Sequence, residues 1–555
     1  SWRQVPDTCK NNFATWNAVD IDGSLVDGNL KVTTGTSGSR TVGSTFGISS
    51  GKYYTEFYIN SLTESTVFIG VVNTSASAKN TNLRIYQYND AVCYSSSNGN
   101  KIIDGTSSAY GATYTNGDLI GVSINLDTDE VTFFKNGTSQ GTITTKTFTG
   151  HYEIMLGSGS SSGAQVVTAN FGQNPTFSGT VTAGTNTDSN GKGLFKYAPP
   201  SGFLALCEDN LPTPAIADPG EHFKTVLYTG DGNNGRSITG VGFQPDLVWI
   251  KKRNGSERSL LVDSVRGVDK ALSSNLTNAE FSSNTAALQS FNDNGFTLGY
   301  GGYVNESSSY NYVAWCWKAG GAAVSNTDGT LNAQVSVNQD AGFSIVNYTG
   351  NGINLATVGH GLNKAPSFII SKNRASNAAW PVYHKDGSNV GSSATDVVYL
   401  NLDIVGNSNN YRNVNDTTFG ITNWAGINEV NQNHIAYCWT EIEGYSKFGS
   451  YVGNGNADGP FVYCGFKPAW VMVKCISNGS TNWRIWDSSR SSINSNNLDL
   501  LANTSDAENS YANDEIDLLS NGFKIRSIGS WHNLSGGSFI FMAFAESPFQ
   551  TANAK

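Results

Sequence analysis

Charge is scarce in this 555-residue chain: Asp, Glu, Lys and Arg together make up 14 %, with a formal net charge of −10. The clustered positive surface that phosphate binding needs is missing, which excludes nucleic acid as a partner. The one basic cluster, Lys251-Lys252-Arg253, precedes the turn Asn254-Gly255 and reads as a solvated strand end. No stretch of 18 apolar residues occurs, so no helix is expected to insert in a membrane. The seven cysteines include no C-x-x-C pair, and the six histidines form no His-x-x-x-His or His-Glu-x-x-His spacing. Zinc, redox and metalloprotease chemistry are therefore not expected, and neither a cofactor nor a metal is assigned. The chain opens at Ser1 without Met or an apolar signal segment, so processing or a longer parent chain is expected. Also missing are long Ala/Glu/Lys/Leu stretches with a 3.6-residue period.

What is abundant is Gly (61 residues), with Asn, Ser, Thr and aromatics. These polar residues compete with a helix backbone for hydrogen bonds, and the aromatic and β-branched residues favour strands. An all-β chain is predicted. One pattern recurs three times. Tyr228-Thr229-Gly230, Tyr348-Thr349-Gly350 and Tyr451-Val452-Gly453 precede Pro245, Pro366 and Pro468 by 17, 18 and 17 positions. Each proline opens an apolar run ending in Lys251, Lys372 or Lys474. Phe296, Phe419 and Phe523 follow the prolines by 51, 53 and 55 residues, and Trp317, Trp439 and Phe544 lie 21, 20 and 21 further on. Four landmarks kept in register imply one domain repeated three times, each copy a small β-sandwich or jelly-roll. Cys316 and Cys438 share a position that Ala543 fills in the third copy, as a small packing residue would.

The first 210 residues differ. Tyr53–Ile59, Val67–Val72 and Leu119–Ile124 read as strands, and Asp118–Asn136 as a hairpin through Asp127-Thr128-Asp129-Glu130 with a second tight turn at Asn136-Gly137. Boundaries are expected at 1–210 for a β-sandwich, 211–221 for a Pro-rich linker (Pro212, Pro214, Pro219), 222–320 for the first repeat, 321–340 for a looser linker, 341–443 for the second repeat and 444–555 for the third. The short joint at 441–445 predicts that the last two repeats form the more fixed pair.

Gly51-Lys52-Tyr53-Tyr54-Thr55-Glu56-Phe57, Ile69-Gly70-Val71, Gly117-Asp118-Leu119-Ile120-Gly121-Val122, Val131-Thr132-Phe133-Phe134-Lys135-Asn136-Gly137 and Asn170-Phe171-Gly172 resemble, in order, the strands of the SPRY domain, a concanavalin-like sandwich. Gly202 to Pro214 resembles the segment closing SPRY domains in tailed-phage structural proteins, and the repeats resemble an uncharacterised domain that follows SPRY in marine phage proteins. The resemblance implies a virion-surface protein made in the bacterial host cytoplasm: a tail fibre, spike or capsid appendage. Its implied partners are a host-surface glycan or protein and other virion proteins. The resemblance also implies a homo-oligomer, with a trimer as the form expected of such fibres.

SPRY domains bind rather than catalyse, through loops at one end of the sandwich. Here Tyr86 and Tyr88 in Tyr86-Gln87-Tyr88-Asn89-Asp90, and Tyr110 and Tyr114 in Tyr110-Gly111-Ala112-Thr113-Tyr114, are the candidate exposed ligand-binding residues. Their rings suit stacking on sugars or protein partners, although strand-edge aromatics look the same in sequence. Two other readings remain: an architectural spacer that binds virion proteins, and a polysaccharide depolymerase. The second needs paired carboxylates. Glu515-Ile516-Asp517 offers two, but Ser520 stands where a further acid would complete the ladder, and no enzyme is predicted. The acidic turn at 127–130 offers at most backbone carbonyls to a calcium ion, and the EF-hand pattern is absent.

Overall fold

The computed structural model describes residues 11–21, 23–35, 41–63, 66–74, 85–159, 163–283, 285, 287–387, 397–406, 410–477, 479–510 and 515–551. It is nearly all β, and the chain divides into two compact units, 1–213 with 460–463, and 214–459 with 464–555.

The first unit is a sandwich of two antiparallel sheets. One orders Trp16–Ile21, Thr41–Ile48, Tyr152–Ser158, Val67–Asn73, Ala91–Ser95, Lys101–Ile103 and Thr106–Ser108. The other runs Thr138–Ile143, Glu130–Lys135, Leu119–Asn125, Lys52–Leu62, Gln165–Asn170, Lys31–Thr34 and Gly23–Val26. Trp16 sits fully buried, stacked on Phe57 at 5.5 Å and edge-on to Phe171 at 5.5 Å. The expected hairpin is present, with Asn125 opposite Glu130. Asn136 (φ 49°) and Gly137 (φ 80°) make the left-handed turn into the next strand, where glycine relieves the Cβ clash. The acidic turn before it is occupied by protein donors: Asp127 accepts from Gly51 N at 2.8 Å and Asp129 from Phe148 N at 2.9 Å. Glu56 is buried, yet it accepts backbone N–H groups from Lys196 (2.9 Å) and Tyr197 (2.8 Å), tying the closing segment to the sheet.

The second unit repeats one sheet order three times. A large sheet orders Phe223–Thr229, Asn311–Trp317, Leu247–Lys252, Leu260–Asp263, Lys270–Ser273 and Phe281–Ser282, and a small sheet Arg236–Thr239, Gly295–Leu298 and Leu288–Asn292. The second and third copies keep these orders from Phe343–Thr349 and Ser446–Val452 onward. Period-2 alternation explains the layering. In the first copy Val248, Ile250, Ala314 and Cys316 point into that copy's own core against the small sheet. Leu247, Trp249, Trp315 and Trp317 point the other way, into a core shared by all three copies with Phe343, Phe368, Trp439, Trp470, Trp483 and Phe544. Cys316 and Cys438 are fully buried in the separate cores.

This common core corrects two expectations. The last two copies are not a privileged pair, because each copy meets the other two in cyclic order. Between first and second, buried Arg266 joins Asp263 (2.5 Å) and Glu280 (3.0 Å), Tyr437 Oη donates to Asp263 (2.7 Å), and Arg374 donates to Glu280 (2.8 Å). Between third and first, Arg490 joins Asp487 (2.6 Å), Trp315 Nε1 donates to Asp487 (3.1 Å), and Arg253 pairs with Glu508 (3.0 Å). Between second and third the same position holds His384, whose Nε2 donates to Phe541 O at 3.1 Å. Nor is 321–340 a linker. Val324–Asn326 and Ala333–Asn338 extend the second large sheet, the latter pairing antiparallel with Phe343–Thr349. The polar composition of this stretch hides an alternation in which Ala333 and Val335 face the core and Gln334 and Ser336 do not. In 211–221, Ile216 joins the common core and Pro219–Glu221 forms a short 3-10 turn.

Lys251 and Lys252 are 1 % and 4 % exposed, so the basic run is no solvated strand end. Lys251, Lys372 and Lys474 share one register position, and all three are buried. None meets a carboxylate among the described residues. Lys251 Nζ donates to Thr504 O (2.8 Å), Lys372 to Ser376 O (2.9 Å) and Lys474 to Asp403 O (2.6 Å). Burial pulls each down to about 8.

Candidate functional site

Three equivalent loops follow the Tyr-x-Gly landmarks. Tyr228, Tyr348 and Tyr451 are buried and stack on Tyr312, His434 and Phe539 at 5.2, 5.2 and 4.9 Å. Their hydroxyls donate to Val304 O (2.7 Å), Ile427 O (2.8 Å) and His532 O (2.7 Å). Each chain then turns through Gly-Asp-Gly or Gly-Asn-Gly. Cβ atoms on Gly230, Gly350 and Gly453 would lie 2.2, 2.3 and 2.4 Å from a facing carbonyl, so only glycine fits there. Gly232, Gly352 and Gly455 have φ of 70°, 69° and 66°.

A fully buried asparagine clamps each loop: Asn305, Asn428 and Asn533. Their Oδ1 atoms accept from the N–H of Asp231 (2.9 Å), Asn351 (2.8 Å) and Asn454 (2.8 Å). Their Nδ2 groups donate to the carbonyls of Asn233 (2.8 Å), Ile353 (2.9 Å) and Asn456 (2.8 Å). With both ends of the amide used, the backbone of the tip is held while side chains at 231–235, 353–355 and 455–458 face solvent. Nothing local in so Asn-rich a sequence marks these asparagines. They lie 60, 62 and 65 residues after the three prolines, in step with the other landmarks, so the signal was there.

The tips are not chemically alike. The first offers Asp231, paired with Arg236 at 3.6 Å, the second exposes Ile353 and Leu355, and the third offers Asp458 to Lys524 (2.9 Å) and Arg526 (3.2 Å). Exposed Trp531 lies two positions before the third clamp, with Arg484 4.8 Å above its ring, whereas Trp424 is partly buried against the second copy's core. The Glu515-Ile516-Asp517 carboxylates are engaged: Glu515 accepts from Ser495 Oγ at 2.7 Å and Asp517 from Arg526 Nε at 2.6 Å.

The tyrosines named from sequence fall into two places in the first unit. Tyr88 and Tyr114 are 2 % and 3 % exposed, which corrects the expectation that they lie open on loops. Tyr88 packs with Ile85, Cys93 and Met155, and Tyr114 Oη donates to Val67 O (3.1 Å) and Tyr94 O (2.8 Å). Tyr86 is half-buried against Phe68 at 4.9 Å, and Tyr110 is half-buried, edge-on to Tyr94 at 5.5 Å with its Oη accepting from Phe133 N at 3.1 Å. Aromatic rings in polar stretches look alike in sequence whether they cap a core or face solvent.

Comparison with known proteins adds two matches. Residues 218–548 match the family described as "Domain of unknown function (DUF7483)", and residues 52–174 match the SPRY domain. No curated protein matches. Among solved structures, the stonustoxin structure matches at 17 % identity over 28 % of this chain and 27 % of that one, with a TM-score of 0.24. The chain thus spans about a quarter of stonustoxin's length. The SPRY domain of human HERC1 matches at 19 % identity over 28 % of this chain and 96 % of that one (TM-score 0.23), and another human SPRY domain at 18 % over 26 % and 92 % (TM-score 0.22).

Proposed function

Because the chain belongs to the DUF7483 family and carries a SPRY domain at 52–174, we propose that it is a non-catalytic adhesive protein on the virion surface of a tailed bacteriophage. As a tail fibre, spike or capsid appendage, it binds a host-surface glycan or protein during adsorption and is held in place by other virion proteins. The observation that supports this reading is the presence of three clamped loops on one scaffold, each tip rigid and carrying few charges. Rigid loops lose little conformational entropy on contact, and several weak sites on one body raise the effective concentration at a repetitive surface.

The test is binding of the purified full chain to intact host cells and to their extracted surface glycans, with analysis for new reducing ends. Saturable binding without cleavage is expected. Asn305→Ala, Asn428→Ala and Asn533→Ala should each weaken binding, and the triple variant should lose more than the three single losses combined. New reducing ends would refute the non-catalytic reading, and absence of binding to every host fraction would refute adhesion.

A further inference from the structure

The three equivalent outer strands are not covered alike. In the second copy, Phe343–Thr349 is covered on its outer side by Ala333–Asn338, with Ile345 opposite Ser336 and Asn347 opposite Gln334. In the first copy the equivalent strand, Phe223–Thr229, ends its sheet. The register with Asn311–Trp317, together with Gly230 N donating to Tyr310 O and Lys318 N to His222 O, directs the backbone groups of Lys224, Val226 and Tyr228 inward. Those of Thr225 and Leu227 point outward, and neither residue's outward N–H or C=O has a partner among the described residues. They stand where Ile345 and Asn347 are paired in the second copy.

Side chains agree with the backbone. Val346 is fully buried beneath Val335, whereas its counterpart Val226 is only partly buried, and Tyr228 is 9 % exposed against 2 % for Tyr348. Leu227 is 38 % exposed, and Thr225 Oγ1 is buried without a hydrogen-bond partner among the described residues. Beside Phe223, Lys224 and Thr225 lies a groove of about 340 Å³ whose far wall includes Ser488, Ser489, Ser492 and Glu546 of the third copy. The third copy also ends its sheet at the equivalent strand, but there Phe448 and Tyr451 are 0 % and 1 % exposed.

We propose that Phe223–Thr229 is an acceptor edge that takes one extended segment from a different polypeptide by strand addition. The occupant is a lone strand with small apolar residues at alternate positions. Two such residues cover Val226 and Tyr228, and the backbone between them pairs with Thr225 and Leu227, as the second copy's own Ala333–Asn338 does on its edge. The adjoining groove favours a lone strand over the edge of another whole sheet, so a second copy pairing edge to edge is not the occupant.

The probe is a labelled peptide with the sequence of residues 330–339, Thr-Leu-Asn-Ala-Gln-Val-Ser-Val-Asn-Gln, titrated into the full chain and followed by fluorescence anisotropy and amide hydrogen exchange. Saturable binding is expected, with exchange at Thr225 and Leu227 slowed at least tenfold. Leu227→Pro removes an outward N–H that the existing ladder does not use, so it should weaken binding at least tenfold without changing Tm. If that variant fails to fold, Val226→Lys, which puts a charge on the edge, should give the same loss. No saturation up to millimolar peptide, or equal binding to the edge variants, overturns the proposal. So does a concentration-dependent dimer of the full chain that Leu227→Pro abolishes.

Discussion

Replacing one of the three equivalent lysines tests the energetics of the common core. Lys474 is 0 % exposed, and desolvation brings it from 10.5 to about 8 while its Nζ donates only to neutral oxygen atoms. Below pH 8 both the folded and the unfolded chain hold this proton, and the buried charge costs about 3 kcal/mol relative to an exposed lysine. Between about 8 and 10.5 the unfolded chain keeps the proton and the folded chain does not, so the free energy of unfolding rises with pH in that window. Tyrosines and cysteines also titrate there, so the informative quantity is the difference between the wild-type chain and Lys474→Met. From pH 7 to pH 9.5 that difference should move by about 2 kcal/mol in favour of the wild type. Urea unfolding followed by tryptophan fluorescence reads it, since Trp249, Trp315, Trp317, Trp380, Trp439, Trp470 and Trp483 all lie in the common core. A difference that stays constant across that range, or moves the other way, refutes the assignment of a desolvated cation. Lys251→Met and Lys372→Met should behave alike.

The histidine joint responds with the same sign in an acid window. Burial lowers His384 from 6.5 to about 4, so its stabilising contribution is complete above 6.5 and is lost as pH falls towards 4, about 3 kcal/mol in all. His384→Gln should flatten that part of the acid unfolding profile. Arg266→Met leaves Asp263 buried without its cation and should destabilise the second unit by about 3–5 kcal/mol, read as a lower urea midpoint. Asn428→Ala removes the clamp on 351–355 and should speed proteolysis at Ile353 and Leu355 with a loss of about 1–3 kcal/mol. Glu56→Ala releases the N–H groups of Lys196 and Tyr197 and should expose 184–205 to protease, an effect absent from the second unit.

Much of the fold was legible because strands and turns carry local signals. The Pro-led runs, the hairpin ending at Asn136-Gly137 and the closing strands through Trp317, Trp439 and Phe544 all lie where alternation and turn chemistry place them. The clamps were legible in principle, because Asn305, Asn428 and Asn533 keep the register of the prolines, but a single asparagine in an Asn-rich chain does not stand out. The tyrosines misled for a related reason: Tyr88 and Tyr114 are flanked by polar residues, and whether a ring turns inward depends on strands distant in sequence, such as Val67–Asn73.

The repeat, the all-β class and the split between a first part and a threefold second part follow from residue types and their spacing, and the SPRY likeness of the first part from its resemblance to known strands. The tertiary structure decided the rest. Both faces of the three large sheets carry apolar residues, and no local pattern says that Trp249, Phe368 and Trp470 share one core. Nor does spacing reveal that Asp263, His384 and Asp487 each meet the next copy in the cycle, or that one edge is covered by Ala333–Asn338 while its counterpart at Phe223–Thr229 ends its sheet among the described residues. Burial and pairing between copies are set by which segments distant in the chain meet, and that information exists only once the chain has closed on itself.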